Sequence, residues 1–497
     1  MTVLAADALE GRGTGTRGYE QAAAYVAGQV QALGLEAAGT DGTYFQPVRF
    51  RRAKPMVASA RLVVHGGGAP STFRWGTDFV GRGDAVRALV ELRAPVVFVG
   101  YGISDPSEGH DDYTQDVRGS IVAFLPGVPS HLPAERRDYY TSLKWRLARE
   151  RGAVATIELS TPDEDQAFPW ATRMEWIEVG ASTWLDAQGN APADVDLPRL
   201  LFSTAGTDRL LALAGRTLSS LTIPRPPAFS IADATLSIAS RTEEFSSPHV
   251  IARLRGADPS LAGEHVLVVA HLDGLGRGAP VNGDDIYNGA IDNALGAALL
   301  LATAQRLAGP EERLRRSVLF LATTGEELGI VGSPYFVAHP TVPLDAIVAA
   351  VNIDGPSQLT GPIRAILAMG ARNSTLGGAV ERAASGLGLR MKPAAAPLNY
   401  SDHYPFVMKG IPSLWLVQAE DGPPSEEEKD ASTRPHTPRD DLGRPLRWEA
   451  AEMLLRLHVA LVRDIASQPE RPEWLAGDVL GQRFGARRTS RSSRSIP

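Results

Sequence analysis

Four continuous apolar runs constrain this chain more than any other feature. They are HVLVVAHLD from His265, SVLFLATTGEE from Ser317, AIVAAVNIDG from Ala346 and SLWLVQAED from Ser413. None alternates polar with apolar residues, so a strand made from any of them must be covered on both faces. Helical patterns lie between them, ALGAALLLATAQRLAG and LGGAVERAASGLG, with apolar residues at three- and four-residue spacing. Doubly buried strands alternating with helices predict an α/β fold: a mainly parallel sheet flanked by helices.

This rhythm starts near residue 248. The chain opens with the Gly-rich turn EGRGTGTRG and a helical pattern, YEQAAAYVAGQVQALGLE, for which Gly34 is a stop. Short strand-like runs fill 58–100, followed by GSIVAFLPG, the helical SLKWRLARERG and the strand-like AVATIELS. Four segments follow: 1–79 as the N-terminal part of the α/β domain, 80–240 as an inserted, mostly-β domain, 241–470 as the main α/β part, and 484–497 as an Arg/Ser-rich tail of disordered composition. The last helix is expected in RWEAAEMLLRLHVALVRDIAS.

Polar residues gather where the apolar runs stop. His271 and Asp273 follow the first run, Glu326 and Glu327 the second, and Asp354 the third; His436 lies in the loop after the fourth, and Asp292 just before a helix. Sites in open α/β sheets form at the carboxyl ends of the strands, so chain position alone brings these residues to one rim. Two imidazoles with several carboxylates suit zinc or a similar divalent ion in a catalytic setting. Even without Asp273, four carboxylates over-supply one ion, whereas two ions sharing a bridging carboxylate would use them; such pairs sit ~3.5–4 Å apart and serve hydrolysis. Cations would also offset the repulsion between the adjacent glutamates.

Composition narrows the alternatives. The chain has no cysteine, which removes disulfides, thiolate ligands and cysteine nucleophiles. Its net charge of −7 gives a nucleic-acid partner no electrostatic support. No apolar run approaches the roughly 18 residues of a membrane span, and MTVLAADALEGRG lacks the basic and apolar regions of a signal peptide.

These residues resemble the zinc-dependent aminopeptidases with two co-catalytic metals, a group related to glutamate carboxypeptidases and glutaminyl cyclases. The resemblance rests on HLD at 271, YNGAIDNALG at 287, TTGEELGIVGS at 323, NIDG at 352, SDHYPF at 401 and HTPRDDL at 436, with the opening ALEGRGTGTRGYEQAAAYV. It implies two Zn2+ per chain: His271 and Asp354 on one, Glu327 and His436 on the other, Asp292 bridging. It also implies that Glu326 is the general base, which returns its proton to the leaving amine, and that Asp273 orients the His271 imidazole. Peptides with a free N-terminus are the implied substrates, a secreted or periplasmic location the implied setting with a cytoplasmic one left open, and 80–240 resembles a protease-associated (PA) domain.

Plainer roles compete at several positions. Asp292 alone could be a helix N-cap, and His436 a loop residue. Asp402 and His403 read as structural, Asp284 and Asp285 as turn residues, Asp440 and Asp441 as buttresses of the His436 loop, and His339 as surface. Pro435 stands where some relatives carry an aromatic residue, and the acidic loop 420–435 is expected to shape the cleft. A cyclase or a carboxypeptidase, the latter needing cations such as Arg372 or Lys409 in the cleft, and a receptor-like binding protein remain open on the sequence.

Overall fold

The computed structural model describes residues 1–133, 136–192, 197–419 and 422–485. Of the Arg/Ser-rich tail, 486–497 lie outside the described residues. The chain forms two compact units, Met1–Val48 with Ser246–Pro497, and Arg49–Phe245.

In the first unit the four apolar runs become strands Ser317–Thr323, His265–His271, Ile347–Asn352 and Ser413–Gln418, adjacent in that order and parallel. Every residue of the first three is buried. Because side chains alternate across a strand, Val266, Val268 and Ala270 face one layer while Leu267 and Val269 face the other. The first layer holds helices Gly296–Leu307, Leu376–Ser385 and Trp448–Ser467; the second holds the short helices Gly332–Ala338 and Tyr404–Val407. Antiparallel additions stand on each side, residues 250–254 on Ser317–Thr323 and Ala365–Met369 on Ser413–Gln418, with Arg390–Ala394 outermost. The N-terminal helix runs Arg17–Ala32, its start capped by Thr16, and Gly34 beyond its end takes φ +73°.

The second unit begins at Arg49, where the sequence placed an inserted domain from 80. Strands Arg61–His65 and Ser71–Phe73 belong to its sheet, because residues 61–65 pair with 233–237, about 170 positions away. Nothing local in such short runs marks so distant a partner. Leu89–Phe98 pairs with the same long strand, followed by parallel Ile121–Phe124, Ala155–Glu158 and Arg199–Phe202, with Phe79–Gly81 antiparallel at the end. Helices such as Arg137–Glu150 and Thr204–Ala212 also belong to this unit, so it is less purely β than expected.

Two histidines of the first unit's interior predict acid sensitivity. His249 and His458 are fully buried, and burial depresses each to a pKa of about 4. The unfolded chain titrates near 6.5, so it takes up these protons first as pH falls. Their stabilisation is complete above pH 6.5 and is lost between there and 4. Unfolding by urea, with chelator present so that metal release plays no part, should show a loss of about 2 kcal/mol per histidine between pH 7.5 and 5. His458→Leu should remove one histidine's share of that loss, about 2 kcal/mol; an unchanged slope would contradict the assignment.

Candidate metal centre

The strands Ser317–Thr323, His265–His271 and Ile347–Asn352 deliver their terminal residues to one rim. His271 closes its strand, Glu326 and Glu327 follow Thr323 by one short turn, and Asp354 comes two residues after Asn352. Asp292 stands in the turn ahead of the helix Gly296–Leu307, and His436 in a loop where its backbone takes φ +60°.

Asp292 occupies the middle. Its Oδ1 lies 3.1 Å from His271 Nε2, and its Oδ2 lies 3.0 Å from His436 Nε2. Each imidazole has a second carboxylate: Asp354 Oδ1 is 3.2 Å from His271 Nε2, and Glu327 Oε2 is 3.5 Å from His436 Nε2. Two triplets that could each hold a metal ion therefore share one carboxylate, His271/Asp292/Asp354 and Asp292/Glu327/His436, with the candidate ligand atoms of each within 4.8 Å of one another. One nitrogen and two oxygens in each triplet form a set suited to Zn2+, with positions left open.

Electrostatics point the same way. Burial opposes charging His271, yet Asp354, Glu326 and Asp292 hold its pKa well above the ordinary imidazole value. The hydrogen bond to Asp292 raises His436 to about 9. Burial would raise Asp292, but the two imidazoles hold it below the usual carboxylate range. Burial and Asp292 push Glu327 up to about 8, and burial with Asp354, Glu327 and Asp402 holds Glu326 well above its normal value despite His271. Without a cation, the carboxylates recruit protons onto both imidazoles. A divalent ion in each triplet would supply that positive charge and return the histidines to their neutral, ligating form.

The supporting residues explain why the ligands stay in place. Ser401 Oγ donates to Asp354 Oδ2 at 2.5 Å and accepts from Asn352 Nδ2 at 2.7 Å. Asp440 accepts from the amides of Ile291 and Asp292 at 2.9 and 3.0 Å, so it buttresses the Asp292 turn as well as following His436 in sequence. Asp430 receives Arg434 and Arg439, one arginine on each side of His436 in the chain. Asp402 accepts from Ser333 and Thr323, while His403 donates to the Pro397 carbonyl and stacks on Trp415; both are structural. Arg372 and Lys409 are exposed and take no part in the ligand cluster.

One expected role changes. The His271 imidazole is oriented by the backbone carbonyl of Asp273, which accepts from Nδ1 at 3.1 Å. The Asp273 carboxylate instead accepts from Thr14 Oγ1 at 2.9 Å and from the amides of Glu326 and Glu327 at 3.3 and 3.2 Å. The reason is reach: a ring two residues upstream meets the main chain first, leaving the side chain to fix the Glu-Glu turn.

Arg12 was not singled out from the sequence. It is fully buried, donating from Nε to Leu272 O at 2.9 Å, from Nη1 to Asn288 O at 2.7 Å and to Leu4 O, and from Nη2 to Gly289 O at 3.0 Å. Burial lowers its pKa to about 10 against the pull of Asp273, Asp440, Glu327 and Asp292, so it remains charged. One guanidinium thus ties the N-terminal segment to both ligand-bearing turns. Arg12→Met leaves these carbonyls unpartnered and should cost about 3 kcal/mol or more by urea unfolding; an unchanged midpoint would contradict this role.

Beside Asp292, Glu327 and His436 lies a hollow of about 10 Å³, also lined by Leu275, Tyr287 and Thr437. That is on the order of a single water molecule.

Part of this chain matches a known family, and its fold is similar to solved structures. Residues 249–462 match peptidase family M28. A vacuolar membrane protease from Lachancea thermotolerans is 30% identical over 119 residues, 24% of this chain; the matched stretch spans 11% of that relative's length. The aminopeptidase from Aneurinibacillus sp. strain AM-1 is similar in structure at 18% identity, over 95% of this chain and 93% of its own, with a TM-score of 0.52. A zinc aminopeptidase from Bacillus subtilis aligns over 95% of this chain and 94% of its own, at 19% identity and a TM-score of 0.45.

Proposed function

We propose that the chain, whose residues 249–462 match peptidase family M28, is an aminopeptidase working with two zinc ions. The observation that carries the proposal is the division of Asp292, one oxygen toward His271 and the other toward His436. On this reading His271 and Asp354 would hold one ion, Glu327 and His436 the other, with Asp292 available to both. Ions held there would supply Lewis acidity and lower the pKa of water to about 7.

Glu326 is the proton carrier. Its amide is anchored on Asp273, while its carboxylate has no hydrogen-bond partner among the described residues and is free to accept one. It takes a proton from the attacking water as the carbon–oxygen bond forms. It returns that proton to the amine nitrogen as the carbon–nitrogen bond breaks. Its raised pKa, caused by burial and the neighbouring carboxylates, suits a group that must both accept and release a proton.

The carboxylate-rich rim favours a substrate with a free, positively charged amino terminus, and the relative from Aneurinibacillus is itself described as an aminopeptidase. We assign the Arg49–Phe245 unit to the PA-type insertion, with a part in substrate access rather than chemistry. Among the described residues no helix is long and apolar enough to cross a membrane; a secreted or periplasmic location is part of the proposal. Aminoacyl-p-nitroanilides should be hydrolysed in a chelator-sensitive manner, and the same compounds N-acetylated should not. Equal hydrolysis of both, or release only from carboxyl-terminal substrates, would overturn the N-terminal specificity.

A further inference from the structure

A second pair of histidines meets within the Arg49–Phe245 unit. His110 Nδ1 and His131 Nε2 lie 3.2 Å apart, with ring centroids 5.1 Å apart. His110 is 2% exposed, and its other nitrogen, Nε2, lies 3.0 Å from Asp112 Oδ1. That contact is electrostatic rather than a well-aligned hydrogen bond. Asp112 is fixed by the amides of Ile103 and Tyr101, which donate to its Oδ2 at 2.9 and 3.1 Å. An anchored carboxylate draws the ring proton of His110 to Nε2, leaving Nδ1 as a lone pair aimed at His131. A carboxylate behind an imidazole is also the arrangement that sets the tautomer of a metal-ligating histidine.

The spacing fits a shared cation. Two nitrogens each ~2.0–2.1 Å from one ion, at a near-tetrahedral angle, stand roughly 3.2–3.4 Å apart. His131 is exposed, so solvent can reach the pair. We propose that His110 and His131 bind a divalent transition cation of the zinc, nickel or copper class, with water completing its coordination. Imidazole ligands favour these ions over magnesium and calcium. Asp112 supports the cation electrostatically, and Arg225, which donates to the Gly109 carbonyl at 2.9 Å, opposes it. The bound ion would join the strand His110–Asp111 to the loop ahead of helix Arg137–Glu150, where Arg136 already pairs with Asp105 and Glu108. Binding only the folded form, it would stabilise this unit.

The competing account is a direct N–H···N hydrogen bond between the rings, which needs no ion. Protein loaded with two equivalents of zinc per chain, and no excess, titrated with Ni2+ in a calorimeter distinguishes the two. Wild type should take up one equivalent that His131→Ala loses or binds at least tenfold more weakly, while peptide hydrolysis is the same in both. Ni2+ should also raise the unfolding temperature of wild type and not that of His131→Ala. The proposal is overturned if wild type takes up no such equivalent, or if His131→Ala gives the same isotherm and the same Ni2+-dependent stabilisation.

Discussion

Glu326→Gln should lower kcat by about 10²–10⁴-fold, the usual contribution of a positioned proton carrier, while the protein keeps its metal. The expectation comes from how differently the two adjacent glutamates are placed. Glu327 Oε2 lies 3.5 Å from His436 Nε2 and belongs to a ligand triplet. Glu326 belongs to neither triplet, and its carboxylate has no hydrogen-bond partner among the described residues. Glutamine keeps the shape and removes the basicity, so KM should change little while turnover collapses. Glu327→Gln should fail differently, losing affinity for one ion. Metal loss in Glu326→Gln, or near-normal turnover with full metal, would exchange or abolish the assigned roles.

Asp292→Ala should produce the opposite pattern, an enzyme that no longer retains metal. Each triplet loses a ligand at once, because one carboxylate serves both. The loss in affinity should exceed the 10–100-fold typical of removing a partner that merely orients a ligand. Asp354→Ala touches one triplet only and should release one ion. If Asp292→Ala kept a full complement of metal, the shared-carboxylate arrangement would be wrong. Asp440→Asn, which weakens the acceptor for the Ile291 and Asp292 amides without removing a ligand, offers a milder control.

The rim of this site was legible in the sequence because each ligand-bearing turn punctuates an apolar run. His271, Glu326, Glu327 and Asp354 follow strands that are buried on both faces, and such strands read as continuous apolar runs whatever their partners. Chain position also brought Asp292 and His436 to the rim, but their roles as shared and terminal ligand were implied only by the motif order. What could not be read depends on contacts made across the chain. Arg12 is 260 residues from Leu272, and its place in a Gly-rich turn carries no sign of burial. Asp273 was the right residue with the wrong atom, since no pattern tells a carboxylate from the carbonyl beside it. The antiparallel strands Ala365–Met369 and Arg390–Ala394 were missed because a five-residue run is as compatible with a loop as with a strand. The boundary at Arg49 was displaced because residues 61–65 find their partners at 233–237.

The central claim is that two cations share Asp292. Elemental analysis of Glu326→Gln and wild-type protein, purified without chelator and with the His131→Ala substitution in both, measures this most directly. The account predicts two zinc per chain in each, with hydrolysis of aminoacyl-p-nitroanilides only in the protein that retains Glu326. One zinc per chain, unchanged after zinc is added back, would contradict it.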